Sequence, residues 1–139
     1  MRAYLDASVF LRVVLGAPER LSEWPELEEP FSSELLWTEC RRSLHRLRAQ
    51  GRFTDDQLVR SLEAAHTLLD RVDLAALNSN VLSRAGDPFP VALGTLDALH
   101  LSTALLWEHD QGRPLDAFLT HDVELGRAAR SVGMRVLGC

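Results

Sequence analysis

Short apolar segments alternate with amphipathic ones along the whole chain, and this rhythm confines the fold more tightly than any other feature of the sequence. Strands are expected at about residues 2–6, near Phe31, around 72–75, over DAFLT at 116–120 and in the closing MRVLG. Between them lie helical patterns. One opens near Ser8, which reads as its N-cap. A long one runs from Ser33 to Gln50, with Leu36, Cys40, Leu44 and Leu47 on one stripe and Gly51 ending it. Thr54 caps TDDQLVRSLEAAHTLL, which is placed to form a hairpin with the helix before it; further helices are expected at about 95–109 and 122–131. Gly16 and Pro18 break the first helix, residues 19–30 hold a short helical turn with solvated glutamates, and AGDPFPVALG reads as turn. Strands separated by helices imply a mainly parallel sheet covered on both faces, an α/β fold.

A chain of 139 residues that is 46% apolar suffices for a single domain, residues 1–139, with one sizeable core. MRAYLDASVF enters the first strand directly, leaving no room for a secretory signal, and no apolar run approaches the ~20 residues that span a bilayer. The expectation is a cytoplasmic protein with no membrane segment. Cys40 and Cys139 lack the spacing of a zinc or redox pair and read as free thiols. A net charge of −5 argues against holding a polyanion by bulk electrostatics alone. Every basic residue is arginine, so any chemistry that needs a lysine is excluded; genomic base composition is the plainest cause of that bias.

Four acids stand where this topology would gather them: Asp6 in YLDAS, Glu39 in LLWTECRR, Asp97 in GTLDALHLSTA and Asp122 in FLTHDVEL. Asp6 closes the first strand and Asp122 follows AFLT within two residues, which puts both at the carboxyl edge of a parallel sheet, where such folds bind ligands. At 100° per residue, Glu39 lies roughly 95° and Asp97 roughly 75° from the centres of their helices' apolar stripes, on the shoulder from which a side chain can line a cleft. Each also has an ordinary reading: a strand-end turn for Asp6, an N-cap for Asp122, a surface pair with Arg42 for Glu39, a favourable dipole position for Asp97. Together they would repel by on the order of 4 kcal/mol for a pair at about 4 Å and an effective dielectric of about 20, which calls for a cation, water or protonation.

Asp116 competes with Asp122, but a strand of about four residues advances roughly 13 Å and sets it at the opposite end. Glu34 points elsewhere on its helix. His100, one turn beyond Asp97, reads as a histidine satisfied within its helix packing, with substrate contact as the sharper alternative; His121 is left open. Ser8 and Thr120 are placed to orient groups beside Asp6 and Asp122. Five arginines crowd residues 40–52 of an otherwise acidic chain; the default is a solvated helix face, and the sharper reading makes Arg41, Arg42 and Arg46 guides for a phosphate backbone.

LDAS at a strand end, a helical glutamate, TLDALHLSTAL and LTHD occur in the order and spacing of PIN-domain ribonucleases, and the chain resembles the VapC-like toxins of bacterial type II toxin-antitoxin systems over nearly its full length. The resemblance implies a three-layer α/β/α domain in which Asp6, Glu39, Asp97 and Asp122 hold Mg²⁺ or Mn²⁺ for hydrolysis of RNA phosphodiesters. Asp6 and Asp97 would take the principal share. It also implies a cognate antitoxin protein covering the groove, and a homodimer or toxin-antitoxin hetero-oligomer. Trp24, Trp37 and Trp107 are compatible with an interface but read first as core. A phosphoacceptor receiver domain would use a lysine that this chain lacks, and a haloacid-dehalogenase-type phosphatase would want DxD where Ser8 stands. A catalytically silent PIN-fold binding or scaffold module is the remaining alternative.

Overall fold

The computed structural model describes residues 1–139. Five strands, β1 (Arg2–Leu5), β2 (Glu29–Ser33), β3 (Asp73–Ala75), β4 (Ala117–Leu119) and β5 (Val136–Leu137), form one sheet in the order β3-β2-β1-β4-β5. All four pairings are parallel. The helices are α1 (Ala7–Val14), α2 (Leu35–Ala49), α3 (Asp55–Leu69), α4 (Ser79–Gly86), α5 (Thr95–Gln111) and α6 (Val123–Ser131), with a single 3-10 turn at Trp24–Glu26.

The strand alternation sorts the core into two layers. Ala3 and Leu5 of β1 and Ala117 and Leu119 of β4 face a cluster that includes Val9 and Phe10 of α1, Leu36, Cys40 and Leu44 of α2, and Ala65 of α3. Tyr4, Phe31 and Phe118 point the other way, onto Leu101 and Ala104 of α5 and Leu125, Ala128 and Ala129 of α6. Tyr4 stacks on Phe118 with ring centroids 4.7 Å apart and meets Phe31 edge-on at 5.5 Å. Burying both faces of a sheet on helices is what its apolar strands require.

β1 occupies the centre, and the chain runs outward to β2 and β3 on one side before returning to β4 and β5 on the other. The switch in direction therefore falls between β1 and β4, whose register pairs Leu5 with Leu119. Asp6 and Thr120 stand level just past that pair, joined by the Asp6 N–H donating to the Leu119 carbonyl at 3.0 Å. A crevice at the carboxyl edge beside such a switch is the ligand position of open parallel sheets.

The expected elements are present, with three corrections. Asp6, not Ser8, is the N-cap of α1: its carboxylate accepts from the Ser8 N–H, and helix begins at Ala7. Ser33 belongs to β2, and the long helix starts at Leu35. The stretch between Ala75 and the Pro-rich turn holds a helix, α4, that the pattern does not announce; Asn78 caps it by accepting from the Asn80 and Val81 N–H groups, and Val81 is its one buried side chain. Thr54 caps α3 in a reciprocal box with Gln57, and α2 and α3 pack as the expected hairpin. No helix is long and apolar enough to cross a membrane.

Candidate functional site

Asp6 is delivered to the carboxyl edge by the central strand and is buried there. Its Oδ2 is held by three donors: Ser8 Oγ at 2.5 Å, Thr120 Oγ1 at 2.9 Å and the Ser8 N–H at 3.3 Å. The same two hydroxyls knit β1 to β4, since Ser8 Oγ accepts from the His121 N–H and Thr120 Oγ1 from the Asp122 N–H, each at 2.9 Å. Donors gathered on one oxygen fix the direction of the carboxylate and leave its other oxygen free of a protein partner.

Glu39 reaches the same edge from α2. Its Oε2 lies 2.8 Å from Nε2 of His100, and the ordinary pairing with Arg42 is absent. Asp6, Glu39 and His100 each present one ligating atom within 4.8 Å of the other two. His100 is buried, and its Nδ1 lies 2.7 Å from the Tyr4 hydroxyl. Burial works against a charged imidazole; the hydrogen bond and charge of Glu39, aided by Asp6 and Asp97, outweigh it and raise the proton affinity of His100 above the ordinary value. Both ring nitrogens are thus engaged, so the donor set this edge offers a cation is carboxylate oxygen.

Asp97 enters from the first turn of α5, half-buried, and its carboxylate makes no hydrogen bond within the protein. Its pKa is raised by burial first and by the charge of Asp122 next, with Asp6 and Glu39 adding to the rise and His100 opposing it. Asp122, exposed, caps α6: its Oδ1 accepts from the Glu124 and Leu125 N–H groups at 2.8 and 3.0 Å, so the expected N-cap role is real, and it accounts for one oxygen only. Asp97 and Asp122 lie outside the 4.8 Å group yet near enough for their charges to be felt. Carboxylates from β1, α2, α5 and the start of α6 come close enough at this edge for Asp97 to feel the charge of the other three, and oxygen donors of this kind are what a hard divalent ion such as Mg²⁺ or Mn²⁺ takes.

The neighbours fall where the topology puts them. Asp116 accepts from the Arg2 N–H at 2.7 Å, at the amino end of β1, the opposite end from Asp6. Glu34 accepts from the Leu77 N–H and takes no part. Arg41, Arg42 and Arg46 line an open groove on α2 with His45 and Ala49, and none of the three is in an ion pair. Trp24, Trp37 and Trp107 pack partly buried against the two core clusters.

The model of the PIN domain matches residues 3–130 of this sequence. The chain belongs to the PIN-domain family. Two relatives from Mycobacterium tuberculosis carry the likeness across nearly all of it: ribonuclease VapC46 (strain ATCC 25618 / H37Rv), 31% identical over 137 residues, covering 96% of this chain and 95% of that one, and ribonuclease VapC47 (strain CDC 1551 / Oshkosh), 30% identical, covering 94% and 91%. Among solved structures, the crystal structure of VapBC2 from Rickettsia felis bound to a DNA fragment from their promoter contains a chain of the same fold, with a TM-score of 0.66 at 12% identity over 98% of this chain and 97% of that one. For this PIN domain, the signal that sequence reasoning passed over is the clasp from Tyr4 through His100 to Glu39. Its members sit 96 and 61 residues apart, and only their meeting in space reveals it.

Proposed function

We propose that the protein is a metal-dependent endoribonuclease, the toxin of a toxin-antitoxin pair, hydrolysing RNA phosphodiester bonds at a site made by Asp6, Glu39, Asp97 and Asp122. The observation that carries this reading is the gathering of acids at the β1/β4 switch, where Asp6 and Glu39 lie within reach of one ion and Asp97 offers a half-buried carboxylate without a protein partner that feels their charge and that of Asp122. The names of the VapC relatives support the ribonuclease class. Asp6 and Asp97 hold the Mg²⁺ or Mn²⁺ ion, with Glu39 and Asp122 completing the set directly or through water. When bound, the ion supplies charge to offset the scissile phosphate and acidity to activate water.

The surrounding residues have separable tasks. Ser8 and Thr120 orient Asp6 through the shared Oδ2. Arg41, Arg42 and Arg46 follow Glu39 by two, three and seven residues along α2 and guide the RNA backbone toward the acids, giving an acidic protein a local anion track. A cognate antitoxin protein covers this edge, where the acids suit an inserted arginine.

Cleavage of a labelled RNA in Mg²⁺ or Mn²⁺ tests the reading. Wild-type activity is expected to fall at least about 100-fold in Asp6→Asn and Asp97→Asn with helical content unchanged, the scale of losing a principal charge-stabilising group. A wild-type protein that cuts no RNA with either ion is instead a silent PIN-fold module.

A further inference from the structure

The deepest polar contact of the site belongs to residues that hold no ion. His100 is 1% exposed, on the α5 side of the sheet, yet it reaches across the carboxyl edge to Glu39 on α2. Behind it, the Ser33 N–H donates to the Tyr4 hydroxyl oxygen at 3.3 Å. As a carboxylate, Glu39 can only accept, so the hydrogen of the neutral ring sits on Nε2 and Nδ1 accepts from the Tyr4 hydroxyl at 2.7 Å. The Nε2–H donates to Glu39 Oε2 at 2.8 Å. An imidazolium would donate to the same oxygen. In either form Nε2 has no lone pair for a cation, although it lies within 4.8 Å of ligating oxygens of Asp6 and Glu39.

We propose that His100 is a positioning residue that, braced by Tyr4, occupies Oε2 of Glu39 and restricts this carboxylate to a single free oxygen, so that the site discriminates for Mg²⁺ or Mn²⁺ and against Ca²⁺. The chemistry follows from what the ions require. Mg²⁺ wants near-octahedral geometry at short distance and accepts one oxygen from each carboxylate; Ca²⁺ takes six to eight oxygens and gains from carboxylates that bind through both. Asp6 is restrained in the same manner, since its Oδ2 is taken by Ser8 and Thr120. Two carboxylates each limited to one oxygen form a poor cradle for the larger ion. This inference rests on the metal-centre reading above.

Titration calorimetry with Mn²⁺ and with Ca²⁺ on wild type, His100→Gln, His100→Leu and Tyr4→Phe tests it, alongside nitrogen NMR of the histidines. His100→Leu is expected to lose about 10–100-fold in Mn²⁺ affinity, the usual cost of removing a hydrogen-bonded neighbour of a ligand, with Ca²⁺ affinity unchanged or higher. His100→Gln, whose amide can still donate to Glu39, keeps the wild-type order of the ions; Tyr4→Phe falls between. In wild type, the His100 Nε2–H signal is present and persists when Mg²⁺ is added. Equal losses in His100→Gln and His100→Leu, or disappearance of that signal on adding Mg²⁺, would overturn the proposal and make His100 a ligand. Mn²⁺ binding that is sensitive to Asp6→Asn but untouched by His100→Leu sinks this inference alone, whereas a wild-type protein that binds no Mn²⁺ sinks the metal centre with it.

Discussion

Replacing Asp97 by asparagine should make the metal-free protein more stable while blunting its response to metal. The carboxylate lies half-buried near Asp122, Asp6 and Glu39 and has no internal hydrogen bond to lose. Like charges about 6 Å apart at an effective dielectric of about 20 repel by about 3 kcal/mol, and solvent screening around partly open groups such as these leaves about 1–2 kcal/mol in all. Against this stand the attraction of His100 and the favourable place of a negative charge in the first turn of α5, together worth about 0.5–1 kcal/mol. The balance is about 0.5–1 kcal/mol of stabilisation, a rise in melting temperature of about 2–5 °C for a domain of this size. Wild type saturated to about 100 times its dissociation constant with Mn²⁺ should gain about 2.7 kcal/mol, and Asp97→Asn should gain much less at the same concentration. Differential scanning fluorimetry in chelator and in Mn²⁺ reads both numbers. A variant that melts lower than wild type in chelator, or shifts as far in Mn²⁺, refutes the view that these acids repel one another until a cation joins them.

Three further outcomes follow from the same geometry. Reversing charge in Arg42→Glu/Arg46→Glu should weaken RNA binding and lower the slope of log affinity against log salt by up to about 1.4 for a single strand; an unchanged slope removes the arginine track. In chelator, stability should decline as pH rises from about 4 to 8: the contribution of Asp97, whose folded pKa is raised, is full below its ordinary value of 3.8 and lost as pH climbs through the folded one, and that of His100, raised likewise, is full below 6.5 and lost as pH climbs through its own. The decline should be shallower in Asp97→Asn, as melting curves across that range will show. Alkylation of the native protein near pH 8 should label exposed Cys139 and spare buried Cys40, whose thiol burial pushes up to about 11; denaturant should release the second site, and equal native labelling contradicts the packing of α2.

The parts of the site that could be read from sequence are those written locally. Asp6 and Asp122 follow apolar strands by one and three residues, and a parallel sheet assigns such positions to one edge without further information. Glu39 and Asp97 could be placed only on the shoulder of a helix, because the phase of a stripe says which way a side chain leans and not what it meets. Glu39 illustrates the limit: its near neighbour in sequence, Arg42, is not its partner, and His100, from another layer of the fold, is. Ser8 reads as a cap because serine caps helices, yet a carboxylate two residues earlier takes the post and uses the serine as a donor. α4 escaped notice because Asn78, Ser79 and Asn80 have the composition of a turn, and a helix that buries one residue leaves almost no apolar stripe.

The pairing of β1 with β4 has a consequence for how the protein comes into being. Asp6 is made 114 residues before Thr120, which steadies it, and Thr120 directly follows the strand that is fourth of five in chain order. Until β4 slots in beside β1, the first strand has an open side and its aspartate lacks both that hydroxyl and the companionship of Asp122. The carboxyl edge is therefore assembled only once β4 has been made and docked, through long-range pairing rather than any local step.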